Sequence, residues 1–176
     1  SNGDYITFAQ AQAGLRFTPS ANSPLAGTFD VESSENGNTV AAQSATATST
    51  ITVTPVGDTP QVASITTNED TQSGLIVISR NAADGGEVTH FRISGITNGS
   101  LFHADGTTAI SNGTYITFAQ AQAGLRFTPS ANSTVAGTFD VESSENGSTV
   151  AAQSGQATST VTVTPVGDTP QVASIT

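Results

Sequence analysis

Ala157-Thr-Ser-Thr-Val-Thr-Val-Thr164, running into Pro165-Val-Gly-Asp-Thr-Pro170, is the stretch that decides the fold. Val161 and Val163 share one side with Ser159, and Thr158, Thr160, Thr162 and Thr164 share the other. An alternation of period two, built from β-branched residues, is the mark of a strand with one buried and one wet face. The two prolines and the Gly-Asp pair that follow cannot continue a hydrogen-bonded ladder, so a short, stiff connector is expected there.

The same passage occurs upstream as Thr52-Val-Thr-Pro-Val-Gly-Asp-Thr-Pro60, and the likeness spreads outward in both directions. Residues 1–66 recur as residues 111–176 without a gap, differing at seven of 66 positions. The differences are Asp4/Thr114, Pro24/Thr134, Leu25/Val135, Asn38/Ser148, Ala45/Gly155, Thr46/Gln156 and Ile51/Val161. An offset of 110 residues is too long for one solenoid coil and matches one closed domain, so beads in a row are expected.

The two prolines set the register of the bead. Residues 1–54 are then the carboxy-terminal half of a repeat, 55–60 a connector, 61–166 one complete repeat, and 167–176 a connector with the start of the next. Residues 1–54 lack their complementary half, so they are expected either to be poorly ordered or to complete themselves against residues 67–110 of this or another chain by strand exchange. Within the complete repeat, turn residues bound strand candidates at 61–66, 75–80, 88–94, 100–103, 115–119, 124–128, 137–142 and 157–164. Leu75, Val77 and Ser79 oppose Ile76, Ile78 and Arg80, and Phe139 and Val141 oppose Asp140 and Glu142. Phe118-Ala-Gln-Ala-Gln-Ala-Gly124 fits a helical turn. Seven or eight short, evenly spaced strands favour an all-β sandwich of immunoglobulin-like or cadherin-like type over a barrel.

Composition agrees. Eight Phe and two Tyr stand beside no Trp, Met or Cys, so the apolar residues are aromatic and β-branched. The net charge is -10, and the four cations, Arg16, Arg80, Arg92 and Arg126, are too few to gather phosphates. Nucleic acid is therefore not an expected partner. Absence of Cys removes disulfides and thiol chemistry. No run of 18 apolar residues offers a membrane span.

Chemistry for catalysis is thin. His90 and His103 lie on different strand candidates with no second ligand at zinc spacing, and no Gly-x-Ser-x-Gly elbow is present. Phe118, Phe127 and Phe139 sit among apolar neighbours and read as core. No enzyme activity is expected. The acids are more informative, because an acidic surface without lysine is relieved most effectively by divalent cations. Calcium takes six to eight oxygens, which a junction between two beads can supply from connector, strand start and loops. Asp58, Glu69, Asp70, Asp84, Glu142 and Glu145 are the candidate ligands. The loops Asn81-Ala-Ala-Asp-Gly-Gly-Glu87 and Glu142-Ser-Ser-Glu145 are expected at the end where the chain enters, bringing Asp58 near Asp84 and Glu145. The same acids also suit solvated turns that bind nothing.

Gly124-Leu-Arg-Phe-Thr-Pro129, Gly137-Thr-Phe-Asp-Val141 and Thr162-Val-Thr-Pro-Val-Gly-Asp-Thr-Pro170 occur in order, after Thr67-Asn-Glu-Asp-Thr71 and Gly99-Ser-Leu-Phe102 with its Asp105-Gly-Thr107. In these motifs the whole chain resembles the tandem cadherin-like repeats of very large bacterial surface adhesins. Gly57-Asp58-Thr59-Pro60 stands where many such repeats carry Asn-Asp. The resemblance implies an antiparallel Greek-key β-sandwich and an extracellular setting on a bacterial surface. It also implies neighbouring repeats of the same chain as the main partner, with calcium between them. The role implied is that of a stalk. A directly adhesive module, binding sugar or another copy of itself, and an accessory domain of a secreted enzyme are the alternatives.

Overall fold

The computed structural model describes residues 3–21, 23, 25–35, 37, 44–148 and 154–173. Residues 174–176 of the expected next repeat lie outside that set. The chain divides into two units, Ser1–Pro55 and Val56–Thr176. The boundary falls immediately before Val56, so the Val-Gly-Asp-Thr-Pro segment expected as a separate connector belongs with the second unit.

In the first unit, Thr7 ends an extended segment and caps helix α1 (Phe8–Gln12). Its hydroxyl accepts from the Gln10 amide while the Gln10 side chain accepts from the Thr7 amide, the reciprocal arrangement of a capping box. Strand β1 (Gly27–Val31) pairs antiparallel with β2 (Ala47–Ile51) as a two-stranded sheet.

The second unit is built from β3 (Gln61–Val62), β4 (Ile65–Asn68), β5 (Ile78–Ser79), β6 (His90–Thr97), β7 (Gly99–His103), β8 (Ala109–Ile110) and β9 (Tyr115–Thr117). These are followed by α2 (Phe118–Ala123), β10 (Leu125–Pro129), β11 (Gly137–Ser144) and β12 (Ala157–Thr164). A five-stranded sheet has the order β4-β12-β11-β6-β9, a three-stranded one the order β10-β7-β8, and β3 pairs with β5. Every pairing is antiparallel except β12 with β4, in which Val161 lies opposite Ile65 and Thr164 opposite Asn68. The fold is all-β, and among the described residues of this unit helix is confined to the short turn α2.

Alternation places the core. Phe91 and Ile93 on β6, Leu101 on β7, Leu125 and Phe127 on β10, Phe139 and Val141 on β11, and Val161 on β12 are buried. Ile76 and Ile78 point inward while Leu75 and Val77 are exposed, as the pattern expects, although only Ile78–Ser79 is a regular strand and Ile76 makes an isolated bridge to Leu125. Burying one side chain of this size stabilises by roughly 1.5–3 kcal/mol, so these residues dominate the energetics.

Two departures from the expected strands are caused by side-chain hydrogen bonds. The candidate 115–119 stops at Thr117 because Thr117 and Gln120 form a second capping box and start α2. The candidate 61–66 is broken at Ala63 and Ser64, where the Ser159 hydroxyl donates to the Ala63 carbonyl and the Ser64 hydroxyl accepts from the Thr160 amide. These side-chain bonds replace a stretch of ladder and let the chain pass from its pairing with β5 to its pairing with β12.

Candidate functional site

Beside β11, the second unit begins with its backbone pressed against the sheet. A Cβ on Gly57 would stand 3.1 Å from the Ser143 Cβ and 3.5 Å from a Val88 methyl, so only a bare backbone fits without displacement. Asp58 is then held from both sides: the buried Ser143 hydroxyl donates to its carbonyl at 2.8 Å, and its amide donates to Asp84 Oδ1 at 2.7 Å. The loop that carries Asp84 is organised by Asn81, whose Oδ1 accepts from the Ala83 amide and whose carbonyl accepts from the Asp84 amide. The Asn81 Nδ2 also reaches the Thr59 carbonyl at 3.1 Å.

Asp84 is only 1% exposed, yet its Oδ2 has no hydrogen-bond partner among the described residues. Glu145 Oε1 is likewise buried and unpartnered. Burial pushes the Glu145 carboxyl up from its ordinary value, and the negative charges of Glu87 and Asp84 push it further the same way. The Thr89 hydroxyl donates to the Glu145 carbonyl and fixes the loop backbone. Asp58, Asp84 and Glu145 are thus brought to one end of the unit. Glu87 joins them; its only sequence signal is its place three residues after Asp84 in a Gly-Gly loop.

Glu69 and Asp70 lie where β4 and β12 end. The Glu69 amide donates to the Thr164 carbonyl at 2.9 Å, and its carboxylate accepts from the Val166 amide at 2.6 Å. Asp70, at a φ of 54°, accepts from the Asn132 amide. The eight residues of β12 separate this end from the entry by roughly 25 Å at the rise of an extended strand. Glu142 joins neither group: β11 places it opposite Arg92 on β6, and the two form an ion pair at 3.0 Å. Among the described residues, no group of three or more His, Cys, Asp or Glu is placed to hold a metal ion. The six acids therefore divide between two ends and one sheet face.

Asp105, which the sequence shows only as part of an Asp-Gly-Thr turn, closes the link between β7 and β8. It accepts from the Thr108 hydroxyl at 2.6 Å and from the Thr107 and Thr108 amides at 2.9 Å, and these bonds hold its carboxyl down to about 2.

The chain matches no protein-family model, and no curated protein matches it by sequence. Among the described residues, no helix is long and apolar enough to cross a membrane.

Proposed function

We propose that the second unit is one bead of a tandem array. In this reading it is a Greek-key β-sandwich of cadherin-like kind that works as a stalk, spacing other parts of an extracellular bacterial adhesin by mechanical extension. The observation that carries it is the fixing of the connector at both ends of the unit by carboxylates. By the 110-residue offset, Val166 and Asp168 are the counterparts of Val56 and Asp58. At a junction, the Val166 amide is held by Glu69 of the earlier bead, and the Asp168 amide takes the place of the Asp58 amide on the next bead's Asp84. These amides are two residues apart, about 7 Å along an extended chain. A three-residue link gripped from both sides is a stiff hinge.

Calcium fits this junction better than it fits either end alone. The unpartnered oxygens of Asp84 and Glu145 come from one bead, and Glu69 and Asp70 come from the other. A divalent cation would neutralise acids that otherwise repel and would supply the ligands' missing partners. Removing it would leave the carboxylates opposed and the hinge looser.

Small-angle scattering on chains of one, two and three beads tests both parts. Each added bead lengthens the maximum dimension by at least roughly 25 Å, the span of β12, if the units extend end to end. Thickening without lengthening would refute the stalk. An unchanged maximum dimension on adding chelator would refute the calcium hinge and leave the spacer role standing.

A further inference from the structure

We infer that residues 3–55 form an acceptor surface for a lone amino-terminal half-repeat, a polypeptide carrying the sequence of residues 56–110. The first unit repeats residues 113–165 with seven changes, so each of its described side chains has a described counterpart. Leu15, Phe17 and Phe29 are 56%, 45% and 37% exposed, whereas Leu125, Phe127 and Phe139 are all fully buried. Ile6 and Val31 are exposed where Ile116 and Val141 are covered.

What covers the counterparts comes from residues 56–110: Ile76, Ile78, Val88, Phe91, Ile93 and Leu101. The register of the cover is equally defined. Strand β6 lies along the free edge of β11 with Ile93 opposite Val141, and β4 lies along the free edge of β12. Among the described residues of the first unit, β1 and β2 pair only with each other, which leaves both of those edges open. Carried across, Ile93 of the arriving segment lies opposite Val31, and its Arg92 meets Glu32.

The acceptor is already shaped. Gly27 pairs with Ile51 as Gly137 pairs with Val161, and Thr48 donates to Asp30 at 2.6 Å as Thr158 donates to Asp140 at 2.6 Å. A Cβ on Gly27 would stand 2.3 Å from the Phe17 ring, just as one on Gly137 would stand 2.1 Å from the Phe127 ring. Little reordering is left to oppose docking. A second copy of the chain is not the occupant, because its residues 56–110 are already covered by its own 111–164. Exchange between copies swaps one pairing for a near-identical one and leaves the same number of open acceptors.

The inference concerns pairing and depends neither on calcium nor on the stalk role. Its test adds a polypeptide of residues 56–110 to the full chain and follows mass and amide exchange. A one-to-one complex is expected, with exchange at residues 27–31 and 47–51 slowed at least about tenfold while residues 125–129, 137–144 and 157–164 keep their protection. The same fragment carrying F91D and I93D is expected not to bind. Because the fragment alone can aggregate, a second chain has residues 56–110 fused directly before residue 1, reproducing the 110–111 linkage. There, protection of 27–31 is expected to rise to that of 137–141. Failure of the fused chain to protect 27–31 overturns the inference. So does a fragment that displaces residues 111–164, and so does self-association of the chain without added fragment.

Discussion

The ring of Phe127 is laid between two glycines, and the duplicated sequence supplies its own control for what that contact is worth. A Cβ on Gly137 would meet the ring at 2.1 Å, and one on Gly99 at 2.4 Å. Because Phe127 is fully buried, the ring has nowhere to move, and Gly137→Ala forces a shift of ring or backbone. Overpacking of this kind costs about 1–3 kcal/mol. Alanine recovers about 0.5–1 kcal/mol of backbone entropy in a strand, which leaves a net loss of roughly 1–2 kcal/mol. For a unit of this size each kcal/mol moves the melting temperature by about 4 °C, so calorimetry on G137A is expected to show a fall of about 4–8 °C. The sister change Gly27→Ala presents the same geometry to Phe17, which is 45% exposed and free to swing away. G27A is therefore expected to leave the main transition where it is. Shortening the ring with F127L relieves G137A, so the double variant loses less than the sum of the singles by about 1 kcal/mol. Equal shifts for G27A and G137A, or full additivity with F127L, would refute the account of the core as a ring clamped on glycine.

Three further outcomes follow from the second unit. Ser143→Ala removes the bond to the Asp58 carbonyl and is expected to lower urea-unfolding stability by about 1–2 kcal/mol; no change would show that the 57–58 segment is not part of the fold. Glu145 is stabilising only when protonated, because its folded value lies above the ordinary one, so its contribution is present below the ordinary 4.5 and lost as pH rises through the raised value. In chelator, E145Q is accordingly expected to raise the melting temperature at pH 7 and not at pH 4, and the reverse order would refute that assignment. Asp105 has the opposite sign, since its carboxyl is held at about 2 against an ordinary 3.8. Its contribution is present above pH 4 and disappears between pH 4 and 2, so D105A is expected to flatten the loss of stability over that window, and an NMR titration of Asp105 near 3.8 would contradict it.

What the sequence made legible was whatever repeats with period two over enough residues to be seen. The strand at 157–164 has the bounds its alternation implies, and Ile76 and Ile78 point inward although most of their segment is not regular strand. Strand β8 is two residues long and offers no period at all. The end of β9 at Thr117 was visible in principle, since Thr-Phe-Ala-Gln carries the capping-box spacing. The helical turn expected from Phe118 is α2, and the strand candidate merely ran two residues into it. The break at Ala63 and Ser64 was hidden, because its cause lies in β12, 96 residues away. The acids show the same limit. The expected sandwich topology is enough to bring Asp58 to Asp84, whereas the pairing of Glu142 with Arg92 depends on the register of two strands 50 residues apart.

Residues 56–110 have two near-identical halves to choose from, and chain connectivity decides between them. From Ile110 on β8 to Tyr115 on β9 only four residues intervene, and they are bound to β6 by Gly113 donating to Ile93 and Ile93 donating to the Thr114 carbonyl. For residues 1–55 to take that place, Thr54 would have to lie beside Asn68, as Thr164 does. The chain would then have to return to Gln61 within seven residues, over the same seven-residue length that separates Gln61 from Asn68, about 23 Å at the rise of a strand. Such a return consumes the whole connector fully extended and breaks the bonds of Asp58 to Asp84 and Ser143. The side chains offer no comparable preference, since the one change at a fully buried position is Val161 for Ile51, a single methylene. Residues 56–110 are therefore committed to residues 111–164 by tether length. In the proposed array, nearly identical beads would in this way fold in register without the sequence differences otherwise needed to tell neighbours apart.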